Sequence, residues 1–226
     1  MILYLITEEW CAYRGKFNWA ETRNRLEDAA GEPCIVLHYT QAPLETVLSL
    51  PITALCHSGC GTDFSEYDVL RHAEYRRLVL ECGLPQIGFC GGHQILARFF
   101  GSTLGPMRRL RTDEPVLSGY RPKWFVEWGV YTVRIVRKDP LFAGCGPRIR
   151  AQENHYWEVK KLGPELIRLA ESRNCRIQAF RHRTKPIYGV QFHPENSPPG
   201  FPDGARILRN FFSIARKARG SVRPSL

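Results

Sequence analysis

The sequence lacks several features that would indicate other classes of protein. Its eight cysteines include no Cys-x-x-Cys pair, and the nearest cluster, Cys56, His57 and Cys60, matches no common zinc spacing. MILYLI at residues 1–6 is too short to cross a bilayer, and it continues directly into TEEW, without a secretion cleavage site. We therefore expect a cytoplasmic protein with free thiols, no metal centre and no membrane association.

The sequence also has no glycine-rich ATP-binding loop of the Walker type, no internal repeat and no low-complexity tract. Its 32 Lys and Arg exceed its 22 Asp and Glu, which gives a formal net charge of +10. These basic residues lie in short scattered groups that are not interleaved with aromatic residues, which argues against nucleic-acid binding. The charge favours a solvated basic surface, and an acidic partner or a phosphorylated substrate is the alternative.

The predicted elements alternate between strands and helices in the first hundred residues and become strand-rich after Gly101. This rhythm favours right-handed crossovers and an α/β fold whose mixed, mostly parallel sheet carries antiparallel additions in its second half. We predict one domain over residues 1–219 and a flexible tail at 220–226. The predicted strand segments are 2–6, 34–39, 52–56, 86–89, 126–136 and 177–192, and the predicted helices are 17–30, 65–82 and 203–217.

GFCGGHQIL, residues 88–96, places one cysteine among three glycines, between a predicted strand and a long apolar run. When a helix starts where a strand stops, the junction residue sits in a sharp turn with its side chain above the sheet. Gly88, Gly91 and Gly92 remove side chains that would clash there. The start of a helix also stabilises an anion such as a thiolate. The pattern favours Cys90 as an exposed nucleophile over an inert cysteine in a tight turn.

YGVQFHPE, residues 188–195, offers the proton-handling groups that a thiolate nucleophile needs. Side chains at i and i+2 of an extended segment point the same way, so Glu195 can reach His193 and fix its orientation. Pro194 keeps the segment extended. Nucleophile, base and orienting acid together match a generalised catalytic triad.

These motifs resemble those of the class I, triad-type glutamine amidotransferases. GFCGGHQ fits the family's G-x-C-x-G-x-Q elbow, and YGVQFHPE fits its His-Pro-Glu segment. VEWGVYTV, residues 126–133, is similar to the strand after the elbow helix, and ENHYWEV, residues 153–159, to a loop whose His155 is expected near the active-site mouth. The resemblance covers nearly the whole chain, is similar to the stand-alone glutaminase domains of the GMP synthase type, and implies a flavodoxin-like, three-layer fold.

The resemblance implies a role for each matching residue of the triad. Cys90 would attack the side-chain amide of glutamine, His193 would pass a proton to the leaving ammonia, and Glu195 would orient His193. No cofactor is implied for this reaction.

The resemblance also implies where substrate and oxyanion are held. The oxyanion would accept hydrogen bonds from the backbone N–H groups of Gly91 and Cys60. The family's Ser-Gly-Gly-Pro loop reads Ser-Gly-Cys-Gly at residues 58–61 of this chain, so the second donor departs from the usual pattern. The expected substrate-binding residues are Gly59, Gln94 and Gly129.

Three functions remain open from the sequence. In the first, the chain is a glutaminase that supplies ammonia to a separate ATP-dependent synthetase, since no ATP-binding loop is present. In the second, it is a stand-alone γ-glutamyl peptidase or hydrolase that uses the same triad. The third, a non-catalytic regulator that binds an acidic partner, is disfavoured because a binding module does not need all of Cys90, His193 and Glu195.

Overall fold

The protein is built around a nine-stranded mixed sheet with helices on both faces. The structure, a computed structural model, describes residues 1–15, 18–117 and 123–220. The strands are β1 Ile2–Ile6, β2 Cys34–His38, β3 Ala54–His57, β4 Gln86–Phe89, β5 Thr103–Pro106, β6 Glu127–Ile135, β7 Arg148–His155, β8 Trp157–Lys161, β9 Leu166–Glu171, β10 Ala179–His182 and β11 Ile187–Val190. The helices are α1 Trp10–Gly15, α2 Ala20–Ala30, α3 Leu44–Ser49, α4 Ala73–Glu81, α5 Gly91–Phe99 and α6 Asp203–Gly220, with short 3-10 turns at Tyr39–Gln41, Pro140–Phe142 and Pro194–Asn196.

The large sheet has a parallel half and an antiparallel half. Its strand order is β2-β1-β3-β4-β11-β10-β9-β6-β7. The first five strands in this order pair in parallel, and the remaining pairs are antiparallel. β5 and β8 form a separate antiparallel pair. This arrangement confirms the predicted mixed α/β fold with antiparallel additions in the second half.

The side-chain alternation of β1 shows how the layers are held together. Ile2, Tyr4 and Ile6 face the apolar core that also contains buried residues of α2 and α6. Leu3 and Leu5 face the opposite core, which contains residues of α3, α4 and α5. Because successive side chains of a strand point to opposite faces, one fully buried strand serves both layers. Each such buried aliphatic side chain contributes on the order of 1.5–3 kcal/mol.

Several predicted boundaries are confirmed in the first half of the chain. β1 and β4 occupy the predicted residues, and α2 ends at Ala30, with Gly31 at φ 68° in the left-handed conformation that stops a helix. The predicted helix over 17–30 begins only at Ala20, and Phe17 lies outside the described residues.

The predicted helix over 65–82 is wrong in its first part, because α4 begins at Ala73. The preceding residues are held by side-chain contacts that a helix would break. The Tyr67 hydroxyl donates to the backbone carbonyl of Thr7 at 2.7 Å, and His72 caps α4 by accepting from the backbone N–H of Tyr75. The irregular segment therefore covers the end of β1 instead of extending the helix.

The second half contains more strands than the sequence patterns predicted. Residues 177–192 hold two strands, β10 and β11, and β5, β7, β8 and β9 were not predicted individually. Residues 153–159, expected as a loop, are instead the end of β7 and the start of β8. The last helix continues through Gly220, and residues 221–226 of the predicted tail lie outside the described residues. Among the described helices, none is both long enough and apolar enough to cross a membrane.

Candidate active site

Residues that follow four parallel strands meet at one edge of the sheet. Glu8 follows β1, residues 58–61 follow β3, Cys90 follows β4 and His193 follows β11. The carboxyl ends of parallel strands are where open α/β sheets bind ligands. The topology thus brings together the motif around Cys90 and the motif around His193, which are far apart in the sequence.

Cys90 occupies the sharp turn between β4 and α5. Its φ of 46° and ψ of −104° make it the one positive-φ residue other than glycine in the described part of the chain. Such a conformation is strained for a residue with a side chain and persists only where the surroundings enforce it. Two glycines enforce it here, because a Cβ on Gly88 would lie 2.5 Å from the Gly92 carbonyl, and one on Gly92 would lie 2.4 Å from the His57 carbonyl oxygen.

The Cys90 side chain is less exposed than the sequence predicted. It is only 5% exposed, because the strand β7 and the loop after β3 close over it. The Cys90 thiol donates to the backbone carbonyl of Asn154 at 3.6 Å. Cys90 Cβ and His193 Cε1 lie 3.4 and 3.1 Å from the position of a Cβ on Gly59. The thiol and the imidazole therefore share one small space, which the absent side chain of Gly59 leaves open.

His193 and Glu195 form the predicted pair. Nδ1 of His193 lies 2.7 Å from Oε1 of Glu195, so the ring donates its Nδ1 proton to the carboxylate. Nε2 is buried and has no hydrogen-bond partner among the described residues. The backbone N–H of His193 donates to the Gln152 carbonyl at 2.8 Å, which fixes the segment against β7. The ring is thus oriented through one nitrogen and keeps the other for proton transfer.

The charges around His193 favour its protonated form. Burial opposes the charged ring, but the Glu195 carboxylate and the Cys90 sulfur outweigh it and raise the pKa of His193 well above its usual value. This electrostatic coupling requires Cys90 and His193 to act as one ionisable unit. The arrangement can hold an imidazolium beside a thiolate, which is the activated form of a cysteine nucleophile.

The backbone N–H groups of Gly91 and Cys60 flank the same space. A Cβ on Gly91 would lie 2.9 Å from the backbone nitrogen of Cys60 and 2.5 Å from its sulfur. In the described part of the chain, neither N–H donates to another protein group. Two free donors beside a nucleophile are what an oxyanion hole requires. The Cys60 thiol is held neutral, since burial raises its pKa.

The three residues expected to bind substrate lie in different settings. Gly59 and Gln94 line the cavity above Cys90, whereas Gly129 does not and only its neighbour Trp128 does. The Gln94 side-chain amide donates to the Trp157 carbonyl at 2.8 Å and to the Gln191 carbonyl oxygen at 3.0 Å. Gln94 therefore braces α5 against β8 and β11, and its substrate contact stays a prediction.

The cavity has a volume of about 890 Å³. Gly59, Gly91 and His193 surround its base near Cys90. Its walls combine acidic side chains with aromatic ones and with the segment from Asn154 to Trp157. Sequence reasoning did not identify most of these wall residues, which include Tyr4, Glu8, Trp19, Asp63, Phe64, Trp128, Asn154, Tyr156 and Trp157.

Comparison with known proteins assigns the chain to a family. The family described as glutamine amidotransferase class-I matches residues 30–215. The chain belongs to this family. The resemblance stated from the two motifs is thereby confirmed for most of the length of this class I amidotransferase.

Named relatives narrow the similarity within the family. The glutamine-hydrolyzing subunit of GMP synthase from Archaeoglobus fulgidus is 40% identical over 137 residues, 61% of this chain and 65% of that protein. The protein of the same name from Thermococcus kodakarensis is 31% identical over 176 residues, 76% of this chain and 80% of that protein. The match thus spans less than two thirds of the Archaeoglobus protein.

A solved structure supports the fold. A Thermoplasma acidophilum protein, solved as a candidate subunit of GMP synthase, superposes with a TM-score of 0.76 at 23% identity. The superposition covers 98% of this chain and 97% of that one. At this level of identity the likeness concerns the fold, and it agrees with the flavodoxin-like, three-layer arrangement of this class I amidotransferase.

This class I amidotransferase also contains a buried charged cluster that sequence reasoning did not predict. His155, expected in a loop near the mouth, lies on β7 and is buried between the carboxylates of Glu127 and Glu153. Its Nε2 is 3.0 Å from Glu127 and 3.3 Å from Glu153. Its Nδ1 must donate to the Trp157 carbonyl at 2.8 Å, so both ring nitrogens carry protons and the ring is an imidazolium.

The cluster is the described group of side chains that could hold a metal ion, since its ligand atoms all lie within 4.8 Å of one another. An imidazolium accounts for the same geometry without a metal. Burial disfavours the charged ring, but hydrogen bonds to Glu127 and Glu153 outweigh it and raise the pKa of His155 to about 10. Burial raises the pKa of Glu153 to about 7, against the opposing effect of His155. Ser172, Asn174 and Gln178 donate to Glu127.

The raised pKa of Glu153 predicts a pH-dependent component of stability. Between about pH 5 and about pH 7, the folded chain keeps a proton on Glu153 that the unfolded chain releases near pH 4.5. The folded state binds more protons in this window, so this component falls as pH rises, by at most about 1.4 kcal/mol per pH unit. The Glu153→Gln variant cannot ionise there, so we expect its stability relative to wild type to increase with pH.

The measurement is the free energy of unfolding from urea titrations at about pH 5, 6 and 7. Glu81→Gln is the matched control, because Glu81 is an exposed carboxylate that pairs with Arg77 on α4. The control should follow the wild-type pH dependence. A difference between Glu153→Gln and wild type that stays constant over the range contradicts this account.

Proposed function

We propose that the chain is a glutaminase, which hydrolyses the side-chain amide of glutamine and supplies the ammonia to a separate ATP-dependent synthetase. The observation that carries the proposal is the juxtaposition of the Cys90 elbow with the His193–Glu195 pair. The relatives named as glutamine-hydrolyzing subunits of GMP synthase support glutamine as the substrate and a synthetase subunit of that enzyme as the partner. The eight free thiols support the expected reducing, cytoplasmic setting.

In the first half of the reaction, the Cys90 sulfur attacks the side-chain carbonyl carbon of glutamine. The resulting oxyanion accepts hydrogen bonds from the backbone N–H groups of Gly91 and Cys60, each worth about 3 kcal/mol. The carbon–nitrogen bond then breaks while Nε2 of His193 gives its proton to the leaving nitrogen. Ammonia departs, and a γ-glutamyl thioester remains on Cys90.

In the second half, water attacks the thioester carbonyl and transfers a proton to His193. The carbon–sulfur bond breaks, glutamate leaves, and Cys90 returns as a thiolate beside the imidazolium. Glu195 keeps the ring in the orientation that both transfers need, because it holds Nδ1 at 2.7 Å. The same acylation and hydrolysis apply to any γ-glutamyl amide.

The size of the cavity favours a second candidate, a γ-glutamyl peptidase or hydrolase. Its volume of about 890 Å³ lies in the range of roughly 300–1,000 Å³ that holds drug-sized ligands. A leaving group larger than ammonia would occupy the part lined by Phe64, Trp128 and Trp157. In the glutaminase, this part of the cavity would instead face the synthetase.

Kinetics with the isolated chain separate the candidates. We expect ammonia release from glutamine to exceed the cleavage of γ-glutamyl dipeptides in kcat/KM, and to rise sharply when a co-purifying ATP-dependent synthetase is added. Efficient cleavage of dipeptides without glutamine hydrolysis would establish the hydrolase instead. Turnover of neither substrate, with or without the synthetase, would contradict both and leave the regulator.

A further inference from the structure

Glu8, which directly follows Thr7 at the end of β1, contacts the loop that carries Cys60. The side chain is buried, with 2% of it exposed, and lines the same cavity as Gly59 and Gly91. A buried carboxylate is costly unless hydrogen bonds satisfy it. Here the partners are backbone groups, which makes Glu8 a brace for the backbone of the loop.

Both carboxylate oxygens of Glu8 are used. Oε2 accepts from the backbone N–H of Gly61 at 2.6 Å, and Oε1 accepts from the backbone N–H of Thr62 at 3.1 Å. Oε1 also accepts from the N–H of Glu9 at 2.9 Å. Hydrogen bonds to a charged acceptor are among the stronger ones in proteins. The peptide groups on the far side of Cys60 are therefore held in one orientation relative to β1.

The identity of residue 61 explains why such a brace is needed. A proline at this position, as in the family's Ser-Gly-Gly-Pro pattern, would fix φ and carry no N–H. Gly61 instead has the widest backbone freedom and an N–H that requires an acceptor. Glu8 meets both needs, because it satisfies the N–H and removes the freedom. Ser58, at the start of the loop, is tied separately by Thr7, whose hydroxyl donates to the Ser58 carbonyl at 2.9 Å.

We propose that Glu8 is a positioning residue that fixes the peptide group after Cys60 and thereby aims the Cys60 N–H at the oxyanion. The inference rests on the proposed function, since it assigns Cys60 as an oxyanion donor. Glu8 acts only through the loop and makes no contact with the reacting atoms. Its loss therefore affects the stabilised transition state more than the binding of substrate.

Steady-state kinetics of Glu8→Gln, with the substrate that the wild-type chain turns over, test the catalytic part of the proposal. Gln keeps the size of the side chain but turns an NH₂ group toward backbone donors, so at least one hydrogen bond is lost. We expect kcat to fall by about 10- to 100-fold while KM changes by less than about 3-fold. Glu81→Gln, which neutralises an exposed carboxylate on α4, should retain the wild-type kcat.

Two further readouts do not depend on turnover. Alkylation of Cys90 by iodoacetamide needs the thiolate but no oxyanion hole, so its rate should stay within about 2-fold of wild type in Glu8→Gln. Hydrogen exchange at the amides of Gly61 and Thr62 should become faster in the same variant. Unchanged exchange, or faster exchange with unchanged kcat, would overturn the proposal. If the wild-type chain turns over no substrate, the proposed function fails, while the exchange result still decides whether Glu8 holds the loop.

Discussion

Replacement of Cys90 by alanine is expected to abolish hydrolysis of glutamine and of γ-glutamyl amides. Removal of the nucleophile from a triad costs as much as about 10⁶-fold in kcat, because no other group of the triad can form the covalent intermediate. The fold should survive, since Ala is smaller and the buried contacts of Cys90 are few. Measured kcat, with far-ultraviolet circular dichroism as the check on folding, tests this expectation.

Cys90→Gly separates the strain of the elbow from its chemistry. At φ 46° a glycine avoids the strain that any side chain incurs, so this variant should be inactive and yet more stable than Cys90→Ala by about 1 kcal/mol. Cys11→Ala is the matched control, because Cys11 is an exposed thiol. It should retain wild-type activity and stability. Retained turnover in either Cys90 variant would rule out Cys90 as the nucleophile.

Gly92→Ala is expected to destabilise the fold by more than about 3 kcal/mol. The new Cβ would lie 2.4 Å from the His57 carbonyl oxygen and 2.8 Å from the Ser58 carbonyl oxygen. Both obstacles are backbone atoms, so α5 would have to move away from β3. That movement would also break the 2.9 Å hydrogen bond from the Gly92 N–H to Ser58.

Urea denaturation of the two proteins at equal pH measures this effect. Gly15→Ala is the matched control, because a Cβ on Gly15 meets no atom within 4 Å and its φ is not positive. The control should lie within about 0.5 kcal/mol of wild type. If Gly92→Ala were equally neutral, the close approach of α5 to β3 would be refuted.

Local patterns in the sequence were sufficient for the elements that they determine. β1 and β4 are short apolar runs bounded by turn residues, and Gly31 ends α2 through its own backbone preference. The elbow at Cys90 and the His193–Glu195 pair were likewise visible, since each depends on neighbours in the chain. The roles of these residues in catalysis remain proposals.

Long-range contacts explain what the sequence did not predict. The helix expected from Ser65 is replaced by an irregular segment because Tyr67 bonds to Thr7, 60 residues away. Glu127 and Glu153 looked like solvent-facing positions of strands, although each stands in an apolar run that could have signalled a buried charge. Glu8 gave no signal, because its partners at residues 61 and 62 follow a different strand.

The most direct test of the central claim uses a chloromethyl ketone analogue of glutamine, which alkylates a nucleophile that recognises the glutamine side chain. Peptide mapping by mass spectrometry should find the label on Cys90, with the other seven cysteines unmodified, and excess glutamine should protect Cys90. Loss of activity should follow the extent of labelling. Labelling of another cysteine in its place, or full activity after Cys90 is labelled, would contradict the account.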